Sequence, residues 1–139
     1  MGKINDFAVF GANYQTPDGT AVRDYIHVLD LADAHVAACN HLLNGGQTNV
    51  LNLGVGSGHS VLEIIQAVEA EMKVKVPYRL EARRPGDPAV LIADPSKTRR
   101  ILGFEAKHSC LKNIIKTAVG WHKLDWRPTS LEEHGVHAK

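Results

Sequence analysis

The chain has 139 residues, with 16 Lys and Arg against 15 Asp and Glu, which gives a formal net charge of +1. A charge so close to zero provides no general field for nucleic acid or an anionic membrane, so we expect neither partner. No apolar run approaches the roughly 20 residues that cross a bilayer, and the first residues lack the zones of a signal peptide. We therefore expect a cytoplasmic protein of one domain, too short for a complete dinucleotide-binding domain together with a separate substrate domain.

The first half of the chain has the pattern strand, helix, strand, helix. Asp30 is a plausible N-cap for the first helix, and Ser60 with Glu63 forms a capping box for the second. The predicted elements are a strand at 6–11, a β-rich segment at 22–28, a helix at 30–43, a strand at 49–55 and a helix at 60–72.

The second half of the chain continues with short elements. A loop at 83–89 contains two prolines and a glycine, and Gly103 ends a short helix. The predicted elements are a strand at 78–82, a strand at 90–94, a helix at 96–102 and an amphipathic helix at 111–124. The sequence therefore predicts an α/β fold of mixed short strands and helices, with a domain at 1–124 and a polar tail at 125–139.

The cysteines and histidines give little support to a metal or disulfide site. Cys39 and Cys110 lie far apart, and neither belongs to a CxxC pair, so we expect both as reduced, packed thiols. His35 and Cys39 stand four residues apart on a predicted helix, with His41 close in sequence. This spacing fixes no third ligand, which favours ordinary surface histidines over a metal site.

A glycine-rich segment, LGVGSGHS at 53–60, lies between a predicted strand and a capped helix. A dinucleotide-binding fingerprint needs G-x-G-x-x-G, but His59 takes the third glycine position, and no acidic residue ends a second strand about 20 positions later. The pattern favours a tight strand-to-helix turn over a site for cofactor phosphate.

Two further segments carry groups suited to an anion. On a strand, Arg23, Tyr25 and His27 would share one face, which suits an anion site better than a core. In the loop RRPGDPA at 83–89, arginine matches phosphate oxygens and Asp87 can accept from ribose hydroxyls. This loop is a chemically coherent nucleotide clamp, but taken alone the motif favours a solvated basic loop with an incidental acid, because surface arginine pairs are common.

Several catalytic signatures are absent from the printed sequence. It contains no Ser-His-Asp order, no H-E-x-x-H and no P-loop. No tyrosine is followed by a lysine four residues on, so the Tyr-Lys acid/base pair of the short-chain dehydrogenases is missing. We assign no catalytic residue.

Three segments, at 8–35, 50–65 and 82–104, together resemble the C-terminal part of the proteins of the UDP-glucose 4-epimerase family. These proteins are extended short-chain dehydrogenases/reductases. The strings DGT-x-VRDYIHV-x-DLA at 18–32 and RR-x-GD-x-A at 83–89 occur together at the family's spacing. The resemblance extends from about Phe7 to His122. UDP-arabinose 4-epimerases and other nucleotide-sugar epimerases and dehydratases share parts of the pattern.

In that family the C-terminal part holds the UDP moiety of the substrate, and the resemblance implies where it would do so here. The implied substrate-binding residues are Ala8, Val9 and Phe10 along the uracil, Arg23 with Tyr25 beside it and Arg84 at the diphosphate, Asp87 at the ribose hydroxyls, and Leu91 at the sugar pocket. A medium aliphatic side chain at Leu91 leaves open whether an N-acetyl group at C2 of the sugar fits.

The resemblance also implies NAD as cofactor, held in the family by an N-terminal Rossmann domain with G-x-x-G-x-x-G and Tyr-x-x-x-Lys. Neither motif occurs in this sequence. We therefore expect a truncated UDP-glucose 4-epimerase that carries the UDP-binding half, lacks the NAD-binding half and is inactive alone, with a homodimer for the full-length family member. Two alternatives stay open: a non-catalytic nucleotide-sugar-binding module, or another UDP-sugar 4-epimerase such as UDP-arabinose 4-epimerase.

Overall fold

A computed structural model describes residues 7–123. It confirms an α/β fold of short strands and helices. The predicted domain boundary after residue 124 and the polar tail lie outside the described residues. The elements in chain order are β1 (Phe7–Phe10), β2 (Val22–Arg23), α1 (Val28–Leu43), β3 (His59–Ser60), α2 (Val61–Met72), β4 (Tyr78–Glu81), β5 (Val90–Leu91), α3 (Ser96–Leu102) and α4 (Leu111–Lys123). Among residues 7–123, no helix combines the length and apolar character needed to cross a membrane.

The strands form two small sheets, each with a parallel pair. β1 pairs with β4 in parallel, with Phe10 opposite Glu81. β2 is the centre of the other sheet, antiparallel to β3 and parallel to β5, with Arg23 opposite Leu91. Since the carboxyl ends of parallel strands meet at one edge of a sheet, the residues that follow β1 and β4 emerge side by side.

The core lies between these sheets and the helices. α2 packs on α4, and α1 packs on α3. The predicted capping box of α2 is confirmed, because Ser60 and Glu63 exchange hydrogen bonds with each other's backbone N–H. Gly103 ends α3 as predicted, with a left-handed backbone at φ 62°. The buried apolar side chains are Val9, Tyr14, Ala21, Ala34, Ile65, Ile115 and Val119.

The predicted N-cap of α1 is wrong by three residues. The helix begins at Val28, and His27 caps it by accepting a hydrogen bond from the N–H of Leu29 at Nδ1, 3.0 Å away. Asp30 lies inside the first turn, where its buried carboxylate binds the loop before α4. The β-rich segment is correspondingly short, because β2 ends at Arg23.

The early end of β2 also corrects the predicted face of Arg23, Tyr25 and His27. Strand alternation does not extend beyond Arg23, so these three residues share no common strand face. His27 is buried, and its Nε2 lies 2.8 Å from the hydroxyl of Thr117 on α4. Its role here is to cap α1 and to join it to α4.

The predicted strand at 49–55 is absent from the structure. A strand needs a neighbouring backbone to bond, but the carbonyl of Val50 accepts from Nζ of Lys97 and the carbonyl of Asn52 accepts from the hydroxyl of Thr98. The segment is therefore tied to α3 by side chains and does not form part of a sheet.

Both cysteines are free thiols, but the prediction that they are packed is wrong. Cys39 lies on α1 and Cys110 directly before α4, and both are exposed to solvent. The apolar pattern of the chain does not distinguish a buried thiol from one on a helix surface.

Candidate functional site

The loop at 82–87 is placed at the carboxyl end of β1 by the parallel pairing of β1 with β4. The N–H of Gly11 donates to the carbonyl of Glu81 at 2.9 Å, which extends the pairing by one residue. The chain leaving β1 therefore runs beside the chain leaving β4. Within the loop, the N–H of Asp87 donates to the carbonyl of Arg84 at 3.2 Å and closes a turn.

Arg84 and Phe10 form the first contact pair of the site. The guanidinium carbon of Arg84 lies 3.8 Å from the centroid of the Phe10 ring. This is a cation–π geometry, in which the planar guanidinium covers one face of the ring. The two predicted residues are thus brought together, one from β1 and one from the loop.

Arg23 and Asp87 form the second contact pair. Nη2 of Arg23 donates to Oδ1 of Asp87 at 2.8 Å, and Nη1 donates to the carbonyl of Val22 at 2.8 Å. Both side chains keep part of their surface in solvent, 23% for Arg23 and 34% for Asp87. The pair is therefore accessible to a ligand that offers oxygens to the arginine and hydroxyls to the carboxylate.

Tyr25 lies near Arg23 in the segment between β2 and α1, and Leu91 lies near it on β5. Burial raises the pKa of the Tyr25 hydroxyl, against a lowering by the positive charge of Arg23. Leu91 stands opposite Arg23 in the β2–β5 register and is 59% exposed. Arg23 and Leu91 line the same cavity of about 590 Å³, together with the 51–53 segment and the residues after β5.

The strand residues predicted along the uracil differ in accessibility. Val9 is almost fully buried, so its side chain belongs to the core and only its backbone can border a ligand. Ala8 and Phe10 are half-buried on the alternating positions of β1. Burial differs between neighbouring residues of β1 because successive side chains of a strand point to opposite faces, and one face of β1 packs on the core.

The glycine-rich turn does not fit a dinucleotide phosphate. The carboxylate of Asp24 accepts the N–H groups of Val55 and Gly56 at 2.9–3.1 Å, and a third from Ala93 at 3.3 Å. The amides that a phosphate would need are therefore already bound. A Cβ on Gly54 would lie 2.5 Å from Oδ2 of Asp24, so glycine is required there for close packing. These contacts explain the glycines of the turn by packing, and we assign no NAD site to it.

A cluster of Asp30, Asp33 and His108 brings possible metal-ligand atoms within 4.8 Å of one another. The Asp30 carboxylate is occupied, because it accepts from the N–H groups of Lys107 and His108 and from the hydroxyl of Ser109. Burial opposes the charge of Asp30, but these hydrogen bonds outweigh it and hold the pKa of the carboxyl below its usual value. We therefore explain the cluster as structural, because the hydrogen bonds of Asp30 connect α1 to the loop before α4.

Sequence reasoning missed the contacts of Arg83 and Asn13. The guanidinium of Arg83 lies 4.1 Å from the centroid of the Tyr14 ring, and its Nε donates to Oδ1 of Asn13 at 2.7 Å. The adjacent arginines of the 83–89 loop are visible in the sequence, but the sequence does not show which aromatic ring each of them contacts. Their two ring partners, Phe10 at the end of β1 and Tyr14 in the loop after it, lie on either side of the strand end, where strand periodicity no longer relates them.

Comparison with known proteins points to one family. The model of the family described as GDP-mannose 4,6 dehydratase matches residues 1–117. The UDP-glucose 4-epimerase of Bacillus subtilis is 52% identical over 107 residues, which are 77% of this chain and 32% of that protein. The UDP-glucose 4-epimerase of Halalkalibacterium halodurans is 46% identical over 123 residues, 88% of this chain and 37% of that protein. The chain thus spans about a third of the length of the curated relatives it matches.

A solved structure agrees in fold. The crystal structure of UDP-glucose-4-epimerase from Stenotrophomonas maltophila with bound NAD and formylated UDP-arabinopyranose superposes with a TM-score of 0.81 at 48% identity. The superposition covers 86% of this chain and 35% of that chain. These likenesses confirm the resemblance seen in the sequence. The chain belongs to the family described as GDP-mannose 4,6 dehydratase and aligns with about a third of the length of the UDP-glucose 4-epimerases named above.

Proposed function

We propose that this chain binds the UDP moiety of a UDP-sugar and supplies that half of a UDP-glucose 4-epimerase, which interconverts UDP-glucose and UDP-galactose. One observation carries the proposal. The loop at 82–87 contributes both Arg84, which lies on Phe10, and Asp87, which bonds Arg23. One short loop thereby joins two arginines, an aromatic ring and a carboxylate, and these groups suit the phosphates, the base and the ribose hydroxyls of a nucleoside diphosphate.

The resemblance implies a role for each group, and the chemistry of the group suits that role. Arg23 and Arg84 neutralise the diphosphate through charge-assisted hydrogen bonds. Asp87 accepts from the ribose hydroxyls with the oxygen that Arg23 leaves available. Phe10 borders the uracil with its ring, while Ala8 and Val9 do so through the β1 backbone.

The remaining two residues lie toward the sugar. Tyr25 stands beside Arg23, and Leu91 lines the sugar pocket on the neighbouring strand. In this proposal, the size of Leu91 sets the room left at C2 of the sugar. Replacing it with alanine is expected to raise the affinity for UDP-N-acetylglucosamine relative to UDP-glucose, as measured by calorimetric titration of both ligands.

This distribution of contacts suits the reaction. Interconverting the two sugars inverts C4, so the sugar has to present both faces while the nucleotide stays fixed. Binding energy is then better placed on UDP, which does not react, than on the sugar. NAD supplies the redox chemistry of the family when it is bound, and we propose that its site and the homodimer contacts belong to parts of the relatives that this chain does not match.

Thermal unfolding with and without nucleotides tests the binding role. A ligand that binds only the folded chain raises its melting temperature. We expect UDP to raise it more than GDP or NAD at equal concentration. An equal rise with GDP would contradict recognition of uracil, and no rise with UDP would contradict the site itself.

A conversion assay tests the remaining part of the proposal. The chain is incubated with UDP-galactose and NAD, and UDP-glucose is measured. We expect UDP binding without conversion, because neither the cofactor motif nor Tyr-x-x-x-Lys occurs in the sequence. Binding without conversion is also what a non-catalytic nucleotide-sugar module would show, whereas measurable conversion would contradict the proposed inactivity of the isolated chain.

A further inference from the structure

Two adjacent arginines of the 82–87 loop lie on two different aromatic rings. Arg84 covers Phe10, as described above, while Arg83 covers Tyr14 with its guanidinium carbon 4.1 Å from the ring centroid. The two rings belong to the same stretch of chain, four positions apart, at the end of β1 and in the loop that follows it. The pair of stacks joins this stretch to the 82–87 loop at two points.

The partners of Arg83 hold it away from the diphosphate groups assigned above. Its Nε donates to Oδ1 of Asn13 at 2.7 Å, and one face of its guanidinium is taken by Tyr14. Tyr14 itself is fixed, because its side chain is only 5% exposed. Arg83 therefore bonds the 11–16 loop, whereas Arg84, the next residue, reaches the ring of Phe10.

Gly11 shows how closely these groups pack. Its φ is +82°, and a Cβ there would lie 2.3 Å from Cε2 of Tyr14 and 2.9 Å from Cγ of Arg83. Only glycine adopts this backbone readily and leaves the ring and the arginine stem in place. The Arg83–Tyr14 contact is thus built into the turn after β1.

We propose that Arg83 is a positioning residue for UDP binding, acting through Arg84. By stacking on Tyr14 and bonding Asn13, Arg83 fixes the start of the 82–87 loop in the form that places Arg84 over Phe10. A loop held in its binding form before the ligand arrives avoids the cost of ordering it on binding. This proposal rests on the proposed UDP site.

A double-mutant cycle on the full 139-residue chain tests the proposal. UDP affinity is measured by calorimetry for Arg83→Leu, Tyr14→Leu and the double variant, at a temperature where circular dichroism shows all of them folded. We expect each single variant to weaken UDP binding by roughly fivefold, the effect of losing a partly exposed cation–π contact. The double variant is expected to be no weaker than Arg83→Leu alone, because Arg83→Leu already removes the contact with Tyr14.

Conservative variants and a charge control sharpen the result. Arg83→Lys keeps the charge but loses the planar stack, so we expect it to weaken binding as Arg83→Leu does. Tyr14→Phe keeps the ring and is expected to rescue the loss seen in Tyr14→Leu. Arg100→Leu removes the same charge from α3 and is expected to leave UDP affinity unchanged.

Dependence on Arg84 separates positioning from direct contact. In an Arg84→Ala background, Arg83→Leu is expected to cause little further loss of affinity. A full further loss there, or additive effects of Arg83→Leu and Tyr14→Leu, would overturn the proposal in favour of direct contact with the phosphates. A lower melting temperature with unchanged UDP affinity would overturn it in favour of a purely structural role. If the unmodified chain fails to bind UDP, the proposed function fails first.

Discussion

Arg23 and Asp87 stand 64 positions apart in the chain, yet Nη2 of the arginine donates to Oδ1 of the carboxylate at 2.8 Å. The parallel pairing of β2 with β5 brings them together, since Arg23 lies opposite Leu91, four residues after Asp87. Both side chains are partly exposed, so the pair adds little to the stability of the fold. Its importance lies in presenting one cation and one anion side by side.

Removing Arg23 is expected to weaken the binding of UDP but not of uridine. A charge-assisted hydrogen bond is worth about 1.5–3 kcal/mol, so Arg23→Ala is expected to cost roughly 10- to 100-fold in UDP affinity. Uridine has no phosphate and serves as the control ligand in the same calorimetric titrations. An equal loss for both ligands would place Arg23 at the nucleoside and contradict the assignment.

Asp87→Asn gives the complementary result. Asparagine keeps the size of the side chain but removes its charge, so the ribose hydroxyls lose a strong acceptor. We expect uridine and UDP to weaken by similar factors, about tenfold each. A loss confined to UDP would show that Asp87 acts only by holding Arg23, and the ribose role would then be wrong.

Gly54→Ala is expected to destabilise the fold, whereas Gly120→Ala is expected to stabilise it. At Gly54 the added methyl group would lie 2.5 Å from both Asp24 and Ala93, so overpacking is expected to cost about 1–3 kcal/mol. At Gly120, inside α4, the methyl group meets open space, and alanine is expected to add about 0.5–1 kcal/mol. Urea unfolding measures both. A stable Gly54→Ala variant would contradict the close contact of the glycine-rich turn with Asp24.

The contribution of Asp30 to stability is expected to depend on pH. Its folded pKa lies below the unfolded value, which for aspartate is about 3.9. The stabilisation is therefore fully present above about pH 4 and is lost as the pH falls through the folded value. Asp30→Asn is expected to cost about 2–3 kcal/mol at pH 7 and less at pH 3, as measured by urea unfolding.

Glu71→Gln is the control for this experiment. Glu71 is exposed on α2 and lies outside the cluster of Asp30, Asp33 and His108, so its substitution is expected to change the free energy of unfolding by no more than about 0.5 kcal/mol at either pH. A loss at Asp30 that stays constant between pH 7 and pH 3 would show that packing, and not the charged carboxylate, accounts for its effect.

An apolar stripe on α1 is expected to drive self-association. Leu29, Val36 and Leu43 recur every seven residues, which places them on one helix face, and they are 52%, 59% and 84% exposed. We expect sedimentation to show concentration-dependent association. Replacing Val36 and Leu43 with lysine is expected to suppress it, while Gln66→Lys on α2 adds charge elsewhere and is expected not to. A monomer at all concentrations would contradict this expectation.

Local signals in the sequence predicted the parts of the fold that local interactions determine. The sequence predicts the capping box of Ser60 with Glu63 and the end of α3 at Gly103 correctly, because each feature depends on residues within four positions. The prediction of a strand at 49–55 is wrong, because an apolar run does not reveal whether a second strand lies beside it to pair with it. The cap of α1 was misplaced because a histidine ring nitrogen caps it in place of the more common aspartate.

The site shows the same division. The resemblance supplied Arg23, Arg84 and Asp87 as residues, and the structure pairs two of them across 64 positions. The stack of Arg83 on Tyr14 could not be predicted, because it depends on the parallel register of β1 and β4 and on the positive φ of Gly11. Contacts between distant segments follow from topology, which the local pattern does not contain.

Calorimetric titration of UDP into the 139-residue chain, with Arg84→Ala measured in parallel, tests whether the chain holds a UDP site. We expect saturable binding of one UDP per chain in the absence of NAD, and a loss of roughly 10- to 100-fold in affinity for Arg84→Ala. The absence of binding to the folded chain, or binding that Arg84→Ala leaves unchanged, would contradict it.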